Sequence, residues 1–330
     1  MQLPPDLRAG LGEVLGTVPP ERLRATAAEL SRRYRAPAPS QRGPLLRSQE
    51  DVLSYVAVRL PATYAAVALA LQQTRAALPD WEPTSQLDAG AGPGTAGWAA
   101  AVTWSGIEHM TFVEREAEMV RVGRRLASHA AATALAGAQW LQEDLGRLTA
   151  LPRQDLVTAA YVLGELDQAS QDRLVGELWQ ATEGVLVLVE PGTPAGFSRI
   201  LQARDRLLEA GAHMVAPCPH AHACPVVGKD WCHFAQRVER TSLHRRTKGA
   251  ELGHEDEKLS FAAVCRYEAR PAPARVIRHP QTRPGHIRLE LCTPQGLLSE
   301  VVARSDAERY RSARRLRWGD ALPWSPSPSL

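Results

Sequence analysis

A repeat of strand, tight turn and helix, running from about residue 84 to residue 211, most limits what this chain can fold into. SQLDAG reads as a short buried strand, GAGPGTAGWAAAVTW as a glycine turn entering a helix, and TFVERE as a second strand. EAEMVRVGRRLASHAAATAL reads as one long helix. AQWLQEDL supplies a third strand, DLVTAAYVLGEL a fourth and GVLVLVEPG a fifth, followed by the helix GFSRILQARDRLLEAG. Parallel strands need long crossovers, so the alternation predicts an α/β, doubly wound sheet, mostly parallel and covered by helices on both faces.

The flanks read differently. Residues 1–80 predict a helical N-terminal cap: PPERLRATAAELSRRY opens on prolines, and SQEDVLSYVAVRL opens with Ser48 and Asp51 at capping-box spacing. The loop APAPSQRGP separates the two. Residues 81–268 form the expected central domain, carrying a cysteine-rich loop at 216–234. Within 269–330, Pro271, Pro273, Pro280 and Pro284 break the chain, HIRLELCTPQGLLSEVVA reads as a hairpin, and DAERYRSARRLRWG reads as a basic helix before a disordered proline-rich tail. The start, MQLPPDLRAG, lacks a basic region followed by an apolar run, and Arg59 and Pro61 interrupt the best membrane candidate, VAVRLPATYAAVALAL. A cytoplasmic monomer without membrane contact is therefore expected.

At the first strand end, Asp88, Gly90, Gly92 and Gly94 form an acid followed by G-x-G-x-G. Glycines there let the backbone approach a ligand, and the following helix directs its positive end at it. Gly92, Gly94 and Gly97 also fit the dinucleotide spacing G-x-G-x-x-G. The acid before the first glycine suits S-adenosylmethionine better, because it can accept a hydrogen bond from the ligand's ammonium group. Glu114, ending the second strand, is placed for ribose hydroxyls, and Asp144 for the adenine amine. No catalytic group stands out; Glu165 is a candidate general base by position only.

The chain has only five cysteines, and three stand in CPHAHACPVVGKDWCHF as Cys218, Cys224 and Cys232. In a reducing compartment such clustering suggests metal or catalysis before disulfides. C-x5-C-x7-C is wider than the pairs that pinch a zinc ion, and can wrap an iron–sulfur core. The histidines between them keep zinc open, and buried structural thiols are a further reading. Of the other two cysteines, Cys265 shares a strand face with Leu259, Phe261 and Ala263. Cys292 lies on the polar face with His286, Arg288 and Glu290, where ligation gives a thiol a reason to be. Cys292 is therefore the expected fourth partner, tying the C-terminal hairpin to the loop. The fifth helix is expected to end at the sheet edge opposite the cofactor crevice, which would set the cysteine stretch far from the glycine loop.

Net charge is only +3, yet from Arg266 onward 12 Arg and no Lys face 6 acidic residues. That asymmetry suggests a polyanionic partner.

RLPATYAAV, LDAGAGPGTAGWAA, VLVEPGTPAGF, APCPHAHACP, DWCHFAQRVER, GHEDEKLSF and RYRSARRLRWGD together resemble the small-ribosomal-subunit Rsm-twenty-two family, also called the methyltransferase-like protein seventeen family, over about residues 50 to 320. The resemblance implies a class I SAM-methyltransferase fold, action in small-subunit assembly, and binding to ribosomal RNA of the immature small subunit. It also implies a [4Fe–4S] cluster on Cys218, Cys224, Cys232 and Cys292, while methyl transfer is not implied. Phosphate contacts would then fall to Arg278, His279, Arg283, His286, Arg288, Arg314, Arg315 and Arg317. Two other functions stay open on the residues alone. One is an active SAM-dependent RNA methyltransferase with a structural metal; the other is a zinc-stabilised methyltransferase acting on a small molecule or protein.

Overall fold

The computed structural model describes residues 1–16, 18–35, 48–147, 150–240 and 252–326. Three helices lead: α1 (Pro5–Leu15), α2 (Pro20–Arg35) and α3 (Gln49–Ala77). Then follow β1 (Ser85–Ala89), α4 (Thr95–Thr103), β2 (His109–Val113), α5 (Ala117–Ala127), α6 (Thr133–Ala136), β3 (Gln139–Leu141) and β4 (Gln154–Ala160). α7 (Gln168–Ala181), β5 (Thr182–Pro191), α8 (Pro194–Glu209), β6 (His213–Ala216), β7 (Phe234–Glu239) and β8 (His254–Cys265) complete the large sheet. Its order is β3-β2-β1-β4-β5-β8-β6, with β7 also on β8. β1 to β5 are parallel and β8 runs against them. This is the class I methyltransferase arrangement the sequence led us to expect.

The continuous apolar run of β5 serves two faces at once. Val185, Val187 and Val189 join the cluster under α1, α3, α4 and α5, while Leu186 and Leu188 join the cluster under α7 and α8. A strand buried on both sides has no polar positions to spare. A third apolar cluster holds Ile287, Leu289 and Leu291 against Ala313 and Leu322. It belongs to a separate sheet of β9 (Arg275–Val276), β10 (Gln281–Arg283), β11 (His286–Thr293) and β12 (Gly296–Ala303), covered on that face by α9 (Ala307–Ala313).

Several expectations need correction. The segment at 116–135 is not one helix: α5 ends at Ala127 and only the short α6 follows. α3 runs unbroken through Pro61, and by length and composition it is apolar enough to cross a membrane; here it is a mostly buried core helix packed on α4, β6, β7 and β8. The tail is packed as far as it is described: Leu322 is buried and Ala321 bridges to Arg275. The loop APAPSQRGP and the last four residues lie outside the described residues; FAQRVERTSL reads as a strand in the sequence, and its TSL end lies outside them too.

β6 and β7 lie end to end along one edge of β8. His213 pairs with Cys265 and Ala216 with Ala263, then Phe234 pairs with Leu259 and Glu239 with His254. Residues 217–233, the cysteine stretch, are an excursion between these two collinear strands. The stretch therefore does not follow a helix, as the sequence suggested: β6 carries it back to the edge where β1, β4 and β5 end.

The Ser48 side chain accepts a hydrogen bond from the Asp51 amide at 3.1 Å and caps α3. Ser48→Ala is expected to lower stability by about 1 kcal/mol, read as a lower urea midpoint at unchanged m-value.

Candidate functional site

Two separate cavities open along the carboxyl edge of the large sheet. The first, of about 810 Å³, is lined by Gly90, Gly92, Glu114, Asp144, Tyr161 and Glu165 among others. Gly90 and Gly94 have φ of 72° and 80°, which suits glycine alone, and a Cβ on Gly90 would stand 2.7 Å from Val162 Cγ2. Asp88 and Gly94 do not line this cleft. Gly94 caps α4, while Asp88 is 2% exposed beneath the loop, where Oδ1 accepts from Thr158 Oγ1 at 2.8 Å. Glu114 turns toward the loop: Oε2 accepts from the Gly92 amide at 2.8 Å, and Oε1 from the Glu116 amide at 2.8 Å. Asp144 Oδ1 accepts from the Gly146 amide.

Burial dominates the electrostatics here. It pushes Asp88 up to about 7, against the Thr158 hydrogen bond and with help from Glu114. It also raises Glu114, and lifts Glu165 to about 7 despite the Arg115 guanidinium. Tyr161, just past β4, has φ 61°, an uncommon conformation for an aromatic residue. Its hydroxyl donates to Glu257 Oε1 at 3.2 Å, and Arg59 also meets that oxygen at 3.0 Å. Sequence reasoning missed this group; the charged GHEDEK entry into an otherwise apolar strand was the available signal.

The second cavity, of about 580 Å³, is lined by Cys218, Cys224, Cys232 and Cys292 together. All four are free thiols. Burial raises Cys218; it lifts Cys232 well above the thiol range, with further rises from Cys218, Cys224 and Cys292, and takes Cys292 to about 12. Cys292 Sγ lies 3.7 Å from His220 Nε2. Ser260 Oγ donates to the Cys232 carbonyl at 2.7 Å, holding the loop to β8. Cys265 stays in the core, donating to the Tyr267 carbonyl. Among the described residues, no three His, Cys, Asp or Glu side chains are arranged to hold a metal ion. Because the two cavities open on the same sheet edge, the expected remoteness of the cysteine stretch is corrected. From β4 to β6 is three strand steps, roughly 14 Å.

Arg204 and Arg275 also line the thiol cavity, and neither was foreseen. Arg204 stands in the apolar stripe of α8 with Ile200 and Leu207, and Arg275 is the cross-strand partner of Cys292. An arginine at an apolar-stripe position was a readable signal; the β9 pairing was not.

The basic residues do not form one surface. Arg283, His286 and Arg288 share the outer face of the small sheet, where Arg288 donates to Ser299 Oγ. Arg314, Arg315 and Arg317 follow α9, which packs on the opposite, apolar face. Arg278 pairs with Asp230, and His279 meets the Trp318 ring edge-on at 5.0 Å.

A carboxyl raised in the folded state is protonated there while still ionised in the unfolded chain. Stability is thus expected to rise as pH falls from about 7 toward about 4. Asp88→Asn should flatten that slope in urea titrations across the window; an unchanged slope would count against Asp88 as its source.

The profile of the family described as mitochondrial small ribosomal subunit Rsm22 matches residues 49–323. The human mitochondrial ribosome assembly protein METTL17 is 32% identical over 295 residues, covering 82% of this chain and 62% of that protein. The mitochondrial Rsm22-cox11 tandem protein 2 of Schizosaccharomyces pombe is 26% identical over 327 residues, covering 83% of this chain and 43% of that one. The chain thus spans 62% and 43% of these relatives' own lengths. Similar solved structures include magnesium protoporphyrin IX methyltransferase from Synechocystis with SAM bound (14% identity, 75% of this chain and 94% of that one, TM-score 0.41). Another is the N-methyltransferase NodS from Bradyrhizobium japonicum (13% identity, 59% and 92%, TM-score 0.38). The mitochondrial naming of both the family and its relatives overturns the cytoplasmic location expected from sequence and points to mitochondria. By the span of the family match and its identity to METTL17, the chain belongs to the Rsm22 family.

Proposed function

We propose that this chain is a small-subunit ribosome assembly factor that binds ribosomal RNA and holds a [4Fe–4S] cluster on Cys218, Cys224, Cys232 and Cys292. One observation carries the cluster: four thiols from two distant stretches line a single buried cavity. The donor set fits such a group. Unligated, Cys218, Cys232 and Cys292 have raised pKa values and stay protonated at neutral pH, whereas a bound cationic core favours thiolates. The wide C-x5-C-x7-C spacing favours a cluster over zinc, which close cysteine pairs hold. When bound, the core cross-links loop and small sheet and can exchange an electron.

The glycine-loop cleft is the proposed S-adenosylmethionine site. Gly90 and Gly92 line it with Glu114 and Asp144, which would serve ribose and adenine, while Asp88 and Gly94 support the turn from beneath and from the start of α4. RNA would meet two basic surfaces, Arg283, His286 and Arg288 on one and Arg314, Arg315 and Arg317 on the other, with Arg278 and His279 beside the cysteine loop. Assembly of the mitochondrial small subunit is the role the named relatives support. A second reading, an active RNA methyltransferase, is favoured by Glu165, whose near-neutral pKa suits a general base. Transfer of labelled methyl groups to immature small-subunit RNA, lost in Glu165→Gln, would establish it.

Anaerobically purified protein is expected to be brown and to carry about four irons and four sulfides, with both largely lost in Cys292→Ser. Stoichiometric zinc without sulfide would sink the cluster. Affinity for small-subunit RNA should fall steeply with salt, and replacing Arg314, Arg315 and Arg317 by Ala should reduce that log–log slope by about 2 to 3. An unchanged slope would remove that surface from the interface.

A further inference from the structure

On the basis of the cluster proposed above, we propose that Arg204 and Arg275 are its built-in countercharges, setting how readily it accepts an electron. Both side chains line the thiol cavity, at 2% and 5% exposure. They come from different elements, Arg204 from α8 and Arg275 from β9. Arg275 stands directly across the ladder from Cys292, so the two side chains share one face of the small sheet.

Two carboxylates offset part of this charge, Asp205 beside Arg204 and Asp320 within electrostatic reach of Arg275; the remaining partners are neutral. Arg275 donates to the Pro217 carbonyl at 2.7 Å, to Gln73 Oε1 at 2.8 Å and to the Gly319 carbonyl at 3.0 Å, all neutral acceptors. Arg204 donates to the His220 and His222 carbonyls at 3.1 and 2.8 Å, and its Nε has no partner among the described residues. Its one carboxylate contact, Asp205, is half-exposed and solvent-screened. A buried guanidinium needs a nearby anion to repay its lost hydration.

Four thiolates around a core of charge two plus carry a net two minus, which two guanidinium groups neutralise. Reduction adds one electron, delivered in the test by dithionite, and takes the unit to three minus. A cation close to the sulfurs stabilises that added charge, so its removal makes reduction harder. In a partly buried site, one unit charge at side-chain range shifts such an equilibrium by at least about tenfold.

The test uses the full chain, purified anaerobically, with Arg204→Met, Arg275→Met and the charge-keeping Arg204→Lys and Arg275→Lys. Iron and sulfide analysis of the wild type comes first; their absence overturns the cluster and this inference with it. With the cluster present, samples are poised at the wild-type midpoint and the reduced fraction is read by electron paramagnetic resonance. Each Met variant is expected to lower the reduced-to-oxidised ratio about tenfold, equal to 59 mV for one electron, while the Lys variants stay near wild type. Met and wild-type ratios that agree overturn the inference while leaving the cluster intact. Where a Met variant cannot be poised, iron release to a chelator decides. Faster release from Met than from Lys supports countercharge; equal rates from both, in chains folded by circular dichroism, make the arginines mere struts for the loop carbonyls and overturn it.

Discussion

The register of β8 fixes both candidate sites at once. Its second half, from Leu259 to Cys265, is buried, with β5 on one side and β6 and Phe234 of β7 along the other. Its first half, the charged HEDEK run, pairs only with β7 and reaches the rim of the glycine cleft, where Glu257 meets Tyr161 and Arg59. At the changeover Ser260 grips the Cys232 carbonyl. Side chains alternate along a strand, so slippage by one residue would turn Leu259, Phe261, Ala263 and Cys265 away from the helices of the N-terminal layer. The same slip would reverse Glu257 and Ser260. Core packing and site geometry are therefore one constraint, paid for by the apolar half of the strand.

The two cavities store opposite kinds of unbalanced charge. In the glycine cleft Glu114 and Glu165, and beneath its loop Asp88, are all raised chiefly by burial, and Glu114 adds to the rise of the other two. Such a site favours a cationic ligand, whose arrival would restore the ionised carboxylates. In the thiol cavity the fixed charges are guanidinium groups: burial pulls Arg275 down to about 10, and nearby thiolate character pushes it back up. That site favours an anionic assembly.

Periodicity and glycine spacing made the central sheet readable. The β5 run, the LDAGAG turn and the Ser48 cap all stand where their residues put them, because each depends on local chemistry. What stayed hidden depends on distant partners. HMVA is too short to announce β6, and only its pairing with β8 makes it a strand. Without β6 the cysteine stretch was assigned to the wrong edge. The polar-face argument did bring Cys292 to the same cavity as the other three cysteines, since alternation is a local property. The Arg275 partnership needed the β9–β11 register, and the division of the basic residues between two faces needed the position of α9. A charge count sees neither.

The excursion at 217–233 leaves Ser260 to Ala262 of β8 unpaired on that side, because the ladder jumps from Ala263 to Leu259. A long loop costs little more to close than a short one, since the entropy grows only with the logarithm of length. Ordering it is the larger expense, at about 1 to 2 kcal/mol of backbone entropy per residue. Prolines at 217, 219 and 225 lower that cost by restricting the unfolded chain. Arg204 and Ser260 hold three of its carbonyls. A core shared by the four thiols would close steps of 6, 8 and 60 residues, by difference of positions 218, 224, 232 and 292. The longest of these is the one that fastens the small sheet, and chain entropy assigns a closure of that length about 4 kcal/mol. The small sheet has only a modest apolar cluster of its own, so a tie of that size would add substantially to its docking.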